Sequence, residues 1–137
     1  YGDILTSMDL RGLVEYHQKM DAEATVALAT GFTIRVAIAK LDKENRILYF
    51  EEKPKIKSPV SIGILAVKGG IFRDVEGIWR RGEELDIMGD VVPFLIKSGK
   101  KVYGFLTDAF WYDIGSIEAY EKLDHETVEK LFAHLYE

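Results

Sequence analysis

Three short stretches of the 137-residue sequence carry side chains that could do chemistry. The first is Gly2-Asp3, at what the pattern predicts to be the end of a buried strand that opens into a loop. In open α/β sheets, ligands bind outside the carboxyl ends of the strands. An aspartate beside a glycine at such an end is well placed to hold a metal ion. The alternative is a solvated loop carboxylate or a helix cap.

The second stretch is Glu52-Lys53-Pro54, where a carboxylate and an ammonium precede a proline that fixes the following turn. Lysine suits phosphate binding because its ammonium is a compact point charge. Side chains alternate along a strand, so Glu52 and Lys53 should point to opposite sides unless the loop re-aims them. The alternative is an exposed hairpin end with ordinary charges.

The third stretch is FWYDIGS, in which the carboxylate of Asp113 follows Trp111 and Tyr112. We expect Asp113 to be buried among these aromatic side chains, which is costly for a carboxylate unless it is paired or bound to a metal. A helix is predicted to begin at once after Ser116, and the free N–H groups of a helix N-terminus suit anions. The alternative role for Asp113 is to cap that helix.

Composition excludes several classes of function. The net charge is −5, from 18 basic and 23 acidic residues, which disfavours nucleic acid as a partner. The absence of cysteine excludes disulfides, thiol catalysis and Cys-ligated zinc, and it suits a reducing compartment, so the expected location is the cytoplasm. Uncharged runs are too short to span a bilayer, so no membrane partner is expected. The histidines His17, His125 and His134 are too widely spaced for a metal-ligand pattern and are predicted to be structural or exposed.

The amide residues are scarce, since Asn45 and Gln18 are single occurrences among plentiful Glu and Lys. Depletion of thermolabile residues with Lys and Glu enrichment is typical of hyperthermophilic proteins. Sampling noise in a short chain is the alternative explanation.

The elements that must position these side chains are predicted to form an α/β domain, or part of one, over residues 1–137, with a mixed sheet. Asp42 to Asn45 is a polar turn between two strands, which predicts a hairpin. Gly63 inside a strand marks close approach of a ligand or another backbone. Strands are expected over 24–30, 34–41, 46–50, 60–68, 102–106 and 110–114. Helices are expected from Asp9 as N-cap to 20, from 71, over 91–97 with Asp90 as cap, after Ser116, and over 126–135.

Taken in order, these stretches resemble the sugar-1-phosphate nucleotidylyltransferases, which are the nucleotide-sugar pyrophosphorylases. The resemblance covers nearly the whole chain and rests on YGDIL with MDLRGLVEYH, ATVALA, ILYFEEKP, SIGILAV, DIMGDVVPFLIKSGKKVYGF and FWYDIGSIEAY. The last of these is similar to the family's W-x-D-x-G-[TS] element. The resemblance implies the second part of a Rossmann-like nucleotidyltransferase domain, with a mixed, mostly parallel sheet flanked by helices.

The resemblance also implies a reaction and its catalytic residues. Asp3 and Asp113 would be two metal-binding carboxylates for Mg²⁺, and Lys53 would contact the sugar phosphate. The substrates would be a sugar 1-phosphate and a nucleoside triphosphate, joined with release of pyrophosphate. Such a transfer needs charge neutralisation and in-line positioning, and no covalent catalysis.

The substrate contacts that the resemblance implies extend beyond these three residues. Glu52 would bind a sugar hydroxyl, Gly63 would let the backbone approach the sugar, and Trp111 would line the substrate site with Lys53. Three positions depart from the family pattern. Tyr1 stands where the family usually has Asn, and Ser61 stands near another usual Asn. Ala37 replaces a glycine that is common in the family.

The strand, Gly-rich loop and downstream Lys that open the family's domain have no counterpart in the sequence, which predicts a fragment, one half of a split enzyme, or a remnant. Three interpretations follow: an acceptor-side half that is active only with an N-terminal half, a non-catalytic module that binds sugar phosphates or a protein partner, and an unrelated α/β binding domain. The strand edge around Tyr1 to Leu5 would be bare in such a piece, so we expect it to pair with the N-terminal half or to self-associate.

Overall fold

The computed structural model of the chain describes residues 1–79 and 84–133. The strands are β1 Ile4–Thr6, β2 Ala24–Ala29, β3 Ile38–Leu41, β4 Ile47–Glu51, β5 Val60–Val67, β6 Val102–Thr107 and β7 Trp111–Asp113. The α-helices are α1 Leu10–Lys19, α2 Ile71–Val75, α3 Val92–Lys97, α4 Ile117–Glu121 and α5 His125–Phe132. A π-helical turn, Ile87–Val91, leads directly into α3.

The central sheet has the strand order β5-β2-β6, with β2 antiparallel to β5 and parallel to β6. The sequence of β2, ATVALA, is almost continuously apolar and its residues are almost all buried, as expected for a strand covered on both faces. Its small side chains let helices approach closely from either side. This strand is therefore the centre of the described core.

Helices cover both faces of β2, because successive side chains of a strand point to opposite faces. Ala27 and Ala29 pack with Leu13 of α1, whereas Ala24 packs with Leu95 of α3 on the other side. On the α1 side the buried ring of His17 bonds through Nδ1 to Thr25 Oγ1 at 2.9 Å. His17 is thus structural, as predicted.

A separate antiparallel pair joins β1 to β7, two strands more than a hundred residues apart in sequence. Ile4 lies opposite Asp113, and the N–H of Ile114 donates to the carbonyl of Asp3 at 2.8 Å. This pairing places the segment around Asp3 beside the end of β7, and it is what builds the site described below.

The predicted hairpin is present as β3 and β4. Its turn is held by Asp42 Oδ1, which accepts from the N–H groups of Glu44 and Arg46 at 2.9 Å each. Asn45 takes a left-handed φ of 64°, which asparagine tolerates. All residues of both strands are exposed. The strand expected over 34–41 begins only at Ile38, since the backbone bends before it.

The expected α/β class with a mixed sheet and flanking helices is confirmed. The balance of strand directions differs, however: among the described ladders only β2–β6 is parallel. The hairpin, the β1–β7 pair and the β2–β5 pair all run antiparallel.

Asp9 caps α1 as predicted, accepting from the N–H of Arg11, and Ser116 caps α4 by accepting from the N–H of Ala119. The prediction that Asp90 caps the following helix is wrong. The helical segment begins earlier with the π-helical turn, so Asp86 is its N-cap and Asp90 lies inside the turn.

The last helix begins at His125, an exposed residue whose ring meets Tyr120 edge-on at 6.4 Å. The end expected near residue 135, and His134, lie outside the described residues. Over the described ranges, none of the helices has the length and apolar character needed to cross a membrane.

Candidate active site

A cleft of about 980 Å³ opens beside the β1–β7 pair, the start of α4 and the loop after β2. Its walls carry two carboxylates, two cations and three aromatic side chains, contributed by Asp3, Asp113, Arg35, Lys53, Phe32, Trp111 and Tyr112. The chain segments that supply them are far apart in sequence. The cleft therefore exists only in the folded molecule.

The two carboxylates converge on one point. A Cβ atom added to Gly115 would lie 2.7 Å from Asp3 Oδ2 and 3.0 Å from Asp113 Oδ1. Both oxygens thus border the small space that Gly115 leaves by having no side chain. Asp3 is the residue just before β1, and Asp113 is the last residue of β7.

Two expectations about these aspartates are wrong. Asp3 does not end a strand but precedes one, because the strand that pairs with β7 begins at Ile4. Asp113 is exposed, since Trp111 and Tyr112 flank it along β7 without covering the strand end. Asp113 also does not cap α4. Its Oδ1 accepts from the N–H of Gly115 at 2.8 Å and so shapes the turn that leads into the helix.

Lys53 lines the cleft, whereas Glu52 is not among the lining residues. The Lys53 backbone has a φ of 44°, which is uncommon outside glycine, asparagine and aspartate. Such strained conformations cost about 1–3 kcal/mol and cluster at functional sites. Lys53 Nζ and Glu52 Oε1 are 4.0 Å apart, and both side chains are largely exposed.

Gly63 does not line this cleft. Its φ is 74°, and a Cβ there would come within 2.9 Å of the Tyr1 ring. The ring of Tyr1 therefore occupies the space where a ligand or another backbone was predicted to approach. The Tyr1 hydroxyl reaches on to Asp86 Oδ2 at 3.5 Å.

Sequence reasoning placed Trp111 at the site but missed Phe32 and Arg35. The rings of Phe32 and Trp111 stack with centroids 5.9 Å apart and planes 28° apart, which makes an aromatic wall. Both missed residues precede β3. Arg35 lies in the bend where an extended strand was expected from residue 34, and Phe32 lies just before that range. The signal available in the sequence was a lone arginine in the apolar run after Thr33.

The donor set suits magnesium. Mg²⁺ prefers oxygen ligands and is usually held by one or two carboxylates together with waters and substrate phosphates. Asp3 and Asp113 offer two such oxygens beside the space that a Gly115 side chain would fill. Within residues 1–79 and 84–133 there is no cluster of three or more His, Cys, Asp or Glu side chains that could hold a metal by itself. A magnesium ion held by these two carboxylates would need further oxygen ligands from outside the pair.

A family model described as nucleotidyl transferase matches residues 1–130. The chain belongs to this family. The resemblance drawn from the sequence motifs is thereby confirmed at the level of the family.

Relatives of this nucleotidyl transferase chain are longer proteins. A glucose-1-phosphate adenylyltransferase of Thermosipho melanesiensis is 36% identical over 126 residues, covering 87% of this chain and 30% of that protein. One of Desulfitobacterium hafniense is 29% identical over 143 residues, covering 96% of this chain and 36% of that protein. The chain thus spans about a third of the length of these curated relatives.

Solved structures share the fold of this nucleotidyl transferase chain. A protein from Bacillus anthracis, described as a glucose-1-phosphate thymidylyltransferase in complex with a sucrose, superposes with a TM-score of 0.60 at 23% identity. The match covers 88% of this chain and 50% of that one. HddC from Yersinia pseudotuberculosis superposes with a TM-score of 0.56 at 19% identity, over 94% and 52% of the two chains.

Proposed function

We propose that the cleft binds a sugar 1-phosphate together with magnesium, and that the chain supplies this part of a nucleotidylyl transfer from a nucleoside triphosphate. The observation that carries the proposal is the convergence of Asp3 and Asp113 on one point, in a cleft that also holds Lys53. Membership of the nucleotidyl transferase family supports the general reaction.

In the proposed reaction, a phosphate oxygen of the sugar 1-phosphate attacks the α-phosphorus of the triphosphate. A P–O bond forms there as the bond to the β-phosphate oxygen breaks, and pyrophosphate leaves with that electron pair. The products are a nucleoside diphosphate sugar and pyrophosphate. No side chain forms a covalent intermediate, so the protein acts by positioning and by electrostatic stabilisation.

The roles of the acidic and basic side chains follow from their charges. Asp3 and Asp113 would hold magnesium, which supplies charge neutralisation for the reacting phosphates when bound. Lys53 would donate to the sugar phosphate as a point charge. Its position in the lining of the cleft and its left-handed backbone, a conformation frequent at functional sites, support this role.

The sugar ring needs an apolar surface as well as polar partners. Trp111, stacked with Phe32, provides a flat wall that suits the C–H face of a pyranose ring. Glu52, close to Lys53 and exposed, is proposed to accept from a sugar hydroxyl. Gly63, which contacts Tyr1, is the substrate contact with the least support from the geometry.

The triphosphate partner is proposed to be bound mainly by another part of the domain, an N-terminal half. The lining of the cleft contains no Gly-rich phosphate loop, and the chain spans about a third of its curated relatives. The 137-residue chain alone is therefore proposed to bind sugar phosphate without completing the transfer.

Titration calorimetry with glucose 1-phosphate, with and without MgCl₂, tests the proposal on the 137-residue chain. We expect binding that strengthens with magnesium, and loss of the magnesium dependence in Asp113→Asn. Asp108→Asn is the matched control, since Asp108 is an exposed aspartate in the loop just before β7 and does not line the cleft. Absence of any sugar-phosphate binding by the wild-type chain would overturn the proposal.

A second assay separates catalysis from binding alone. The chain is mixed with a separately expressed N-terminal half of a nucleotidyl transferase domain, and pyrophosphate release is followed with glucose 1-phosphate and a nucleoside triphosphate. Release that requires both halves supports the enzyme. Tight sugar-phosphate binding without any release would favour the non-catalytic binding module.

A further inference from the structure

We propose that Arg35 is a second phosphate-binding residue of the cleft, facing the same phosphomonoester group as Lys53 from the opposite strand. The inference rests on the proposed function and deepens it by naming the group that recognises the phosphate. Both cations line the cleft.

Backbone pairing brings the two cations to the same place. The loop after β2 pairs antiparallel with the segment after β4 through a bridge between Thr33 and Lys55. Around this bridge the N–H of Ile34 donates to the Pro54 carbonyl at 3.0 Å, and the N–H of Ile56 to the Phe32 carbonyl at 2.7 Å. Arg35 and Lys53 each lie two residues from this bridge, on its two sides, and both line the cleft.

The ladder is interrupted at this point. Regular pairing resumes only at Ile38 opposite Glu51, with residues 34–37 on one side and 52–54 on the other. One strand thus carries an extra residue, which is the mark of a bulge. Bulges re-aim side chains and are frequent beside active sites. The left-handed φ of Lys53 lies within this interruption.

The charges at the interruption are unbalanced. Two cations that line one cleft repel each other when no anion lies between them. Over the ranges the structure describes, no carboxylate pairs with Arg35 within 4.0 Å, although Asp3 and Asp113 line the same cleft. Lys53 Nζ lies 4.0 Å from the exposed Glu52 carboxylate, at the outer limit of an ion pair, so both cations can turn to a divalent anion in the cleft.

Guanidinium chemistry selects the phosphate group. Arginine offers a planar fork of N–H donors that can bind two phosphate oxygens at once, whereas lysine donates as a point charge. Arg35 and Lys53 together can therefore contact several oxygens of one terminal phosphate. The carboxylates of Asp3 and Asp113 remain available for a metal on the other oxygens.

The test compares three variants of the 137-residue chain by titration with glucose 1-phosphate in MgCl₂. Arg35→Gln should weaken binding by roughly tenfold to a hundredfold, the range for losing a charged hydrogen bond at a phosphate. Arg35→Lys keeps the charge and should recover part of the affinity. Arg46→Gln is the control, since Arg46 lies at the hairpin turn and does not line the cleft. Far-UV circular dichroism checks that each variant is folded.

A second ligand separates phosphate recognition from a structural effect. Inorganic pyrophosphate, the product of the transfer, and sucrose, which has no phosphate, are titrated into the same proteins. Weakened binding of both phosphate ligands and unchanged sucrose binding in Arg35→Gln support the inference, with glucose 1-phosphate affected at least as strongly as pyrophosphate. Wild-type affinity for glucose 1-phosphate in Arg35→Gln, while Lys53→Ala weakens it, overturns this inference and leaves the proposed function intact. Failure of the wild-type chain to bind glucose 1-phosphate overturns both.

Discussion

At the scale of single residues, Gly115 matters because it leaves room for two carboxylates. Asp3 and Asp113 both border the position of its missing side chain, and Asp113 accepts from its backbone N–H. The spacing of the acid pair is thus set by a residue that carries no functional group. An added methyl group would have to displace one carboxylate or the other.

Gly115→Ala should therefore lower the affinity for divalent metal in the presence of glucose 1-phosphate, with little change in folding stability. The new Cβ meets the ends of two side chains, the half-buried Asp3 and the exposed Asp113, which can move aside cheaply, but the pair no longer converges. Metal titration and thermal unfolding measure the two effects. Gly69→Ala is the control, because no atom lies within 4 Å of a Cβ at that position. Metal affinity equal to wild type in Gly115→Ala would show that the acid pair is not the metal site.

Lys53→Ala is expected to weaken sugar-phosphate binding more than triphosphate binding when the chain is combined with an N-terminal half. The ammonium is proposed to contact only the acceptor phosphate, so the triphosphate keeps its own partners. Separate titrations with glucose 1-phosphate and with a nucleoside triphosphate give the comparison. Equal losses for the two ligands would count against the assigned role.

At the scale of elements, Leu95 is the most deeply buried residue of α3. Leu95 is fully buried against the central sheet, and its neighbour Ile96 is 58% exposed on the same helix. Leu95→Ala should lower the free energy of unfolding by about 2–5 kcal/mol, through lost burial and a cavity. Ile96→Ala should lower the free energy of unfolding by well under half of the loss expected for Leu95→Ala. Urea unfolding of the two variants makes the comparison, and equal destabilisation would contradict the described packing of α3.

The turn between α1 and β2 carries an ion-pair network that ties three elements together. Asp21 pairs with Lys68 Nζ at 2.5 Å and with Lys101 Nζ at 3.0 Å. Hydrogen bonds from Lys68 and then Lys101 lower the pKa of Asp21 from 3.8 to about 2. A depressed carboxyl pKa stabilises the fold above the unfolded pKa, and this stabilisation is lost as the pH falls from about 4 to 2.

The wild-type chain should thus lose more thermal stability between pH 5 and pH 2 than the Asp21→Asn variant loses. The side chain is 69% exposed, so the difference is small and shrinks as added salt screens the pairs. Thermal unfolding midpoints measured across this range, at low salt and at high salt, check the direction. A steeper loss in Asp21→Asn than in wild type would contradict the network.

Elements encoded by neighbouring residues were predictable from the sequence. The Asp9 and Ser116 caps, the turn from Asp42 to Asn45 and the apolar β2 strand depend on local signals, and each is present. The cap at Asp86 was not predictable, because a π-helical turn moves the helix start without any local punctuation. Apart from Gly31, the bend that brings Phe32 and Arg35 to the cleft contains no glycine or proline that would have predicted it.

Parts of the site needed information beyond local pattern. The convergence of Asp3 and Asp113 depends on the β1–β7 pairing across more than a hundred residues, and only the family resemblance suggested it. The exposure of Asp113 was mispredicted, because neighbouring aromatic letters do not reveal which way a strand end faces. The placement of Gly63 against Tyr1 likewise depends on tertiary packing.

At the scale of the whole molecule, the β3–β4 hairpin stands out as an uncovered surface. Both its strands are exposed throughout, and its apolar side chains include Ile38, Leu41, Ile47, Leu48, Tyr49 and Phe50. A two-stranded hairpin is only marginally stable alone in water, and bare strand edges invite pairing with other chains. We therefore expect this surface to associate with another polypeptide chain.

The isolated chain should accordingly sediment above its monomer mass of 15.6 kDa at high protein concentration. Leu48 and Phe50 are two residues apart on β4, so their side chains lie on the same face of the strand. Replacing both by lysine should restore the monomer. Lys43→Ser in the turn is the control and should behave as wild type. Sedimentation velocity over a concentration series decides it, and a wild-type monomer at every concentration would contradict the expectation.

The central claim is that Asp3 and Asp113 hold a divalent metal beside the sugar phosphate. Paramagnetic line broadening by Mn²⁺, substituted for magnesium in the presence of glucose 1-phosphate, tests it most directly on the ¹⁵N-labelled chain. Amide signals of Asp3, Asp113 and Gly115 should broaden first, and in Asp113→Asn they should do so only at much higher Mn²⁺. Broadening that starts instead around another acidic group, such as the turn at Asp42 and Glu44, would contradict the account.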